Sequence, residues 1–415
     1  MQNRNLSLGF CAAAIVAVAV LGPAPRSMAQ QEKVLHSFGN GTDASTPQGN
    51  LVSDAAGNFY STTYTGGAYG QGTVYELSPK AGGGWTERTL HSFGHGADGS
   101  SPRSGVIFDK AGNLYGTTIT GGFYGQGAVF ELLPKADGGW TEKLLHSFNG
   151  TDGEYGWDKL IFDTAGNLYS TTTLGGAYGQ GNIYELTPKA GGGWTAKVLH
   201  NFGNGADGAQ PQGGLILDAA GNFYGATTYG GTHGYGTVFE LSPKAGGRWT
   251  EKVLHSFASG ADGANPFSGV IFDAVGNLYG TTFWGGATSG YGTVYELTPN
   301  SVGGWTENTL YSFPNNYGAD GSNPWPTVTF DAAGNLYGTA QFGGGSSPGG
   351  GTAFELSPAA GGGWNFTVLH TFESNGIDGL NPSFTNIFLD ASGNLYGTTG
   401  GGGTYGVGTV YEITP

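Results

Sequence analysis

Val34-Leu35-His36-Ser37-Phe38 decides the fold, because it comes back six times. Near-copies stand at Leu90-His91-Ser92-Phe93, Leu145-His146-Ser147-Phe148, Leu199-His200-Asn201-Phe202, Leu254-His255-Ser256-Phe257, Leu310-Tyr311-Ser312-Phe313 and Leu369-His370-Thr371-Phe372. Successive Phe residues lie 55, 55, 54, 55, 56 and 59 positions apart, which makes seven units. A period of this length belongs to arrays in which each unit buries its apolar face only against its neighbours.

Outward from that phrase, every unit carries four short apolar runs that read as strands, here called a to d. In the second unit they are Val106–Asp109, Asn113–Thr118, Ala128–Leu132 and Trp140–Phe148. The runs are aromatic and β-branched and are punctuated by Gly and Pro. The a–b connection, Asp109-Lys110-Ala111-Gly112-Asn113, fits a turn closed by Gly at positive φ, so Gly57, Gly112 and Gly166 are structural. Four strands in about 55 residues match the blade of a β-propeller. The chain ends set the closure. Lys33–Phe38 is a lone strand d, and the C-terminal unit stops after strand c, Thr409–Ile413. Joined, they complete a seventh blade and leave no unpaired edge. The expectation is an all-β, seven-bladed propeller over residues 30–415, one domain, closed by its N-terminal outer strand.

The 83 Gly among 415 residues lack a collagen period, and 13% aromatic content supplies a core. Residues 1–29 read as a secretory signal peptide. Arg4 gives the positive end, an apolar run follows to Leu21, and Ser27-Met28-Ala29 suits cleavage. The one Cys, Cys11, lies inside that leader, so neither disulfides nor Cys-held metals are expected beyond it. The expectation is a secreted or periplasmic monomer with no membrane span once the leader is removed. A formal charge of −15 repels nucleic acid, and no basic patch offsets it.

The repeat resembles the GloVer-type (Gloeobacter/Verrucomicrobium) tandem-repeat family of exported bacterial proteins. Gly66-Gly67-Ala68-Tyr69-Gly70-Gln71-Gly72-Thr73-Val74-Tyr75-Glu76-Leu77 carries the resemblance, with close copies at Gly121–Leu132 and Gly175–Leu186. It covers residues 33 to 415 and implies export. It brings no assigned activity and no functional residues. The Asp-x-x-Gly-Asn-Leu-Tyr element is also similar to hairpins of lactonase-type and streptogramin-lyase-type propellers, but turn chemistry accounts for most of that.

Repetition separates scaffold from candidate chemistry. Asp ends strand a in every unit, Glu stands in every strand c, and Asp recurs in every loop after strand d. Six of eight His are the His of strand d. Residues present in all blades serve what all blades need, and outer-strand His from different blades cannot converge on one ion. An Asx-turn accounts for each loop Asp, and one carboxylate per loop is thin for calcium. Neither a metal nor a cofactor is expected.

What varies lies on the face that carries the d–a and b–c loops. The residue after the loop Pro, or after Gly156 in its place, is Gln48, Arg103, Trp157, Gln212, Phe267, Trp325 and Ser383 around the ring. The third unit departs furthest, with Glu154, Tyr155, Trp157, Asp158 and Lys159. Trp284 and His233 occupy b–c loops. Variable loops on a rigid frame are where propellers carry function. Aromatics with a few polar groups at a concave mouth suit a sugar or small planar ligand. The expectation is a non-catalytic exported scaffold. It would bind a glycan, peptide or cell-envelope partner through Gln48, Arg103, Tyr155, Trp157, Gln212, Phe267, Trp284 and Trp325. The alternative is a propeller lyase or lactonase, with Glu154 or Asp158 as base, Arg103 or Lys159 holding the oxyanion and His233 as acid. That alternative requires these charged groups to converge.

Overall fold

Seven blades, each with four antiparallel strands and blade 1 with a fifth at Ala44–Pro47, make up the computed structural model, which describes residues 31–40, 43–287, 290–314, 317–345 and 349–414. The leader, its cleavage site and Cys11 lie outside the described residues. In blade 2, strand a (Ile107–Phe108) pairs with b (Leu114–Thr118), b with c (Ala128–Pro134) and c with d (Trp140–Ser147). Blades 1 and 3 to 6 repeat this order. Strand a is two residues long, shorter than its apolar run, because the innermost backbones crowd together. Gly105 lies against the Asn50 main chain, and Gly269 against that of Gly214. Among the described residues no helix is long and apolar enough to cross a membrane.

Blade 7 is built from both chain ends. Gln31–Ser37 pairs antiparallel with Thr409–Thr414, which pairs with Leu395–Thr399 and through it with Phe388–Leu389. Phe38 N–H donates to Gly408 O at 3.0 Å and Thr46 N–H to Val407 O at 2.7 Å.

Each residue of the recurring phrase has a task. The Leu is an extra residue in strand d, since the register with strand c shifts there in every blade, as between Val34 and His36. The Phe is fully buried and packs on the strand-c aromatic of the next blade. Phe38–Tyr75, Phe93–Phe130, Phe148–Tyr184 and Phe202–Phe239 have centroids 5.0–5.1 Å apart. Phe257–Tyr295, Phe313–Phe354 and Phe372–Tyr411 continue the set at 5.0–5.3 Å. Seven like contacts join seven blades, so the ring is closed. The Ser holds the b–c turn: Ser92 Oγ accepts from Ala68 N–H, Ser147 Oγ from Phe123 N–H and Ser37 Oγ from Thr404 N–H.

The His pairs with the Asp of the following loop, His91 Nε2 to Asp98 Oδ2 at 3.1 Å, and likewise in five other copies. Where Tyr311 replaces His, its hydroxyl donates to Asp320 at 2.7 Å. The loop Asp is thus more than the Asx-turn expected for it, because it ties strand d to its loop. The other repeated Asp closes the a–b turn. Asp54 Oδ1 accepts from Ala56 and Asn58 N–H, and its Oδ2 accepts from Asn58 Nδ2 and the Tyr60 hydroxyl. Burial works against its charge, but those bonds prevail and hold the carboxyl below its ordinary value. Gly57 sits at φ +82°, as the turn requires.

Candidate functional site

The d–a loops aim one residue per blade at the ring axis, and they do so through strain. Thr46, Ser101, Tyr155, Gln210, Asn265, Asn323 and Asn381 all have φ between 55° and 61°. Each stands just before the loop Pro, or before Gly156 in blade 3. Left-handed backbone at a non-Gly residue has to be over-determined by its surroundings. Here each such N–H donates to the preceding blade's b–c loop, as from Ser101 to Gln71 O at 2.7 Å. The carbonyl accepts from its own blade, as from Ile119 N–H to Ser101 O at 3.3 Å. One residue therefore clamps two blades and fixes the next side chain but one.

That side chain lies six residues before the strand-a Asp. Arg103, Trp157, Gln212, Phe267, Trp325 and Phe384 line one cavity of about 80 Å³ in the channel. Gln48 holds the same place in blade 1, buried, with its side-chain carbonyl unbonded. In blade 7 the ring member is Phe384, not Ser383. That blade has one extra residue between its Pro and its Asp, so counting forward from Pro382 selects the wrong side chain. Ser383 is buried instead, its hydroxyl donating to Asn381 O. Counting back from Asp390 finds Phe384.

Alternation along strand a lines the channel in layers. Four residues before the Asp stand Asn50, Lys159, Gly214, Gly269, Thr327 and Asn386. Two before it, Val52, Ile107, Ile271, Thr329 and Phe388 line a wider apolar chamber of about 440 Å³. Lys159, Asn50 and Asn386 border both spaces.

Arg103 crosses the mouth. Its guanidinium carbon lies 3.7 Å from the Trp157 ring centre, 4.2 Å from Phe384 and 5.8 Å from Trp325. Phe267 and Trp325 stack beside it at 4.4 Å and 21°. Among the described residues no carboxylate comes within ion-pair distance of Arg103, and its buried Nε has no acceptor. Burial, opposed weakly by Tyr64, brings the guanidinium down to about 9, so it stays charged at neutral pH.

Asp158 occupies the position where other blades have Ser104 or Ser268 bonded to Thr117 and Thr281 of strand b. Its Oδ1 accepts from Lys159 N–H at 2.5 Å. Burial pushes its carboxyl up to about 6, against that bond and the nearby Lys159 charge. Lys159 has no carboxylate within 4 Å among the described residues.

The channel thus gathers Arg103, Trp157, Asp158, Lys159, Gln212, Phe267 and Trp325. It does not gather Glu154, a d–a loop residue whose main chain pairs with Leu174 of the b–c loop, nor His233, exposed at the tip of a b–c loop. Tyr155 is the strained clamp residue of blade 3. Trp284 is 42% exposed and joins the mouth indirectly, through Phe283, which packs on both Phe267 and Trp325. Beyond Trp284 the aromatic path continues to Tyr291 at 5.6 Å and Tyr317 at 4.6 Å from that.

One feature escaped the sequence. All nine exposed large aromatics among the described residues lie on this face. Tyr69, Phe123, Tyr124, Tyr178, Tyr229, Tyr235, Trp284 and Tyr405 stand in b–c loops, and Tyr317 in a d–a loop. Several sit in the repeated Gly-Gly-x-Tyr-Gly turn, so a search for unrepeated residues passes over them. Their exposure could have been inferred from that turn, whose Tyr has no core to face.

Glu residues of strand d lie beside the His–Asp pair of the neighbouring blade. Burial, then the adjacent Asp, pushes Glu32, Glu87 and Glu142 up to about 7 and Glu251 to about 8. Glu32, His370 and Asp378 bring one ligand atom each within 4.8 Å of one another, a donor set that fits a small divalent cation in part, with three of its ligands.

Among solved structures, similarity extends to a puromycin-hydrolysing peptidase of Mycobacterium tuberculosis, at 11% identity and TM-score 0.51 over 86% of this chain and 50% of that one. A protein described as an oxidoreductase (glucose dehydrogenase) from Thermus thermophilus is 15% identical, with TM-score 0.41 over 93% and 100%. A protein of unknown function from Dyadobacter fermentans is 10% identical, with TM-score 0.45 over 92% and 96%. At these identities the likeness concerns the fold alone. No curated protein matches the chain. The model of the Gloeobacter/Verrucomicrobia repeat matches residues 26–142, 135–273 and 248–415. With three matches that together span residues 26 to 415, the chain belongs to the Gloeobacter/Verrucomicrobia repeat family.

Proposed function

We propose that this propeller is an exported, non-catalytic glycan-binding scaffold that holds its ligand on the d–a/b–c face and at the channel mouth. One observation carries the proposal: every exposed large aromatic among the described residues lies on the face where the channel ring opens. Sugar rings present apolar C–H faces that stack on aromatic side chains, and Tyr and Trp add a polar edge for hydroxyls. The path from Trp325 through Phe283 and Trp284 to Tyr317 suits a chain of several sugars. Of the lyase or lactonase set out from the sequence, a base (Asp158) and oxyanion groups (Arg103, Lys159) meet in the channel, whereas Glu154 and the acid, His233, stand apart from them. The leader read at residues 1–29 supports a location in the periplasm or outside the cell, where such polymers lie.

A glycan array with wild type, Trp157→Ala and Trp284→Ala tests this. Binding by wild type that falls about two- to tenfold in both variants is expected, one lost stacking contact being worth about 0.5–1.5 kcal/mol. Absence of binding by wild type across the array refutes it.

A further inference from the structure

We infer that the channel beneath the mouth is an anion site, which takes one carboxylate of the ligand between Arg103 and Lys159. The inference deepens the glycan assignment and rests on it. It selects ligands with an acidic sugar or an acidic end group.

Charge balance is the first ground. The chain carries 30 acids against 15 Lys and Arg, yet two of those cations line the channel without an ion pair among the described residues. A buried guanidinium is costly unless its donors find acceptors. Trp157 and Phe384 satisfy its faces, but a ring face offers nothing to the in-plane N–H groups, and Nε is left without a partner. An in-plane, bidentate acceptor is what a carboxylate supplies.

Selectivity against the protein's own acids is the second ground. Asp158 is the nearby carboxyl; its Oδ1 accepts from the Lys159 N–H, and it makes no ion pair with the Lys159 ammonium. It therefore leaves the Lys159 ammonium free for a ligand. Size is the third ground. A cavity of about 80 Å³ falls short of the roughly 150 Å³ that accommodates a benzene-sized ring. It takes an acidic group while the ring stays outside, stacked on the aromatic mouth. The neighbouring residues are small or amides: Gly214, Gly269, Asn50 and Asn386. They add hydrogen-bonding groups, and the one acid beside them, Asp158, is outnumbered by the two cations.

The test is calorimetric titration of the purified protein at pH 7 and constant ionic strength. Sodium glucuronate, sodium acetate and neutral glucose are the probes, with wild type, Arg103→Met and Lys159→Met. Saturable binding of glucuronate is expected, with acetate weaker for want of a stacking ring, glucose at least about tenfold weaker, and glucuronate affinity cut at least about tenfold in each variant. Melting in chloride without ligand gives a second readout: Arg103→Met, freed of an unpaired buried cation, melts no lower than wild type. Should Arg103→Met not fold, Arg103→Lys replaces it, with the same loss of glucuronate affinity expected because Lys cannot bond bidentately. Equal binding of glucose and glucuronate overturns the anion site while leaving the glycan assignment standing. Glucuronate binding that both variants retain overturns it too, as does the absence of any response to glucuronate and acetate. Loss of array binding in Trp284→Ala reports on the glycan assignment alone.

Discussion

Phe38→Ala tests whether the closing blade is as much a part of the fold as the others, and Phe148→Ala is its internal control. Both rings are fully buried. Phe38 meets Tyr75 at 5.1 Å and 68°, and Phe148 meets Tyr184 at 5.1 Å and 69°. The difference lies in connectivity. Phe148 follows a strand joined through a short turn to strand c of its own blade, whereas Phe38 follows a strand held to its sheet only by pairing with Thr409–Thr414. Removing a buried Phe side chain costs about 3–5 kcal/mol through lost transfer energy and the cavity left behind. Unfolding about 380 residues carries an entropy of roughly 0.8 kcal/mol/K, so each variant is expected to melt about 4–6 °C below wild type. Calorimetry or near-ultraviolet circular dichroism reads this directly, with urea midpoints as a check on reversibility. Equal losses mean that the two chain ends bear load together. A loss confined to Phe148→Ala, with Phe38→Ala within about 1 °C of wild type, would refute closure as a determinant of stability.

Two further outcomes follow from the strained clamps and the raised acids. Ser101→Asn is expected to stabilise by about 1 kcal/mol, because Asn tolerates left-handed backbone and can add a bond across blades. Asn265 Nδ2 already donates to Thr228 O at 3.0 Å and Asn323 Nδ2 to Phe283 O at 2.9 Å. A lower melting point in that variant would remove strain as the account of the clamp. The raised Glu32, Glu87, Glu142 and Glu251 bind protons in the fold at pH values where the unfolded chain has released them. Their contribution is complete below the ordinary Glu value of 4.5 and is lost as pH rises through 7 to 8. Melting temperature should therefore fall between pH 5 and pH 8.5, and Glu251→Gln should flatten that slope and raise the melting point at the alkaline end. A slope unchanged in Glu251→Gln removes that residue from the account.

The repeat, the four strands, the turns, the number of blades and the ring closure are all legible in the chain alone. Each of these is local or periodic. A turn at Asp54–Asn58 needs only its own Asp and Gly57, and seven copies of one apolar pattern bury their faces only by stacking on each other. Arg103, Trp157, Asp158 and Lys159 also stand out there as departures from the repeat, and these do meet in the channel. Which departures meet is settled only by the folded ring. Glu154 lies within four residues of Asp158 in the chain, yet its main chain is spent on Leu174 and it stays out of the cavity. Phe384 replaces Ser383 because one inserted residue rotates the register at the axis. Arg103 finds Phe384 and Trp325 across the ring, some 280 and 220 positions away in sequence, and no local pattern encodes a contact between blades 2, 6 and 7. Pairing and turn energies act between residues close in the chain or one blade apart. The channel, by contrast, is where seven separate chain segments converge, and what they build there depends on side-chain length across an open space.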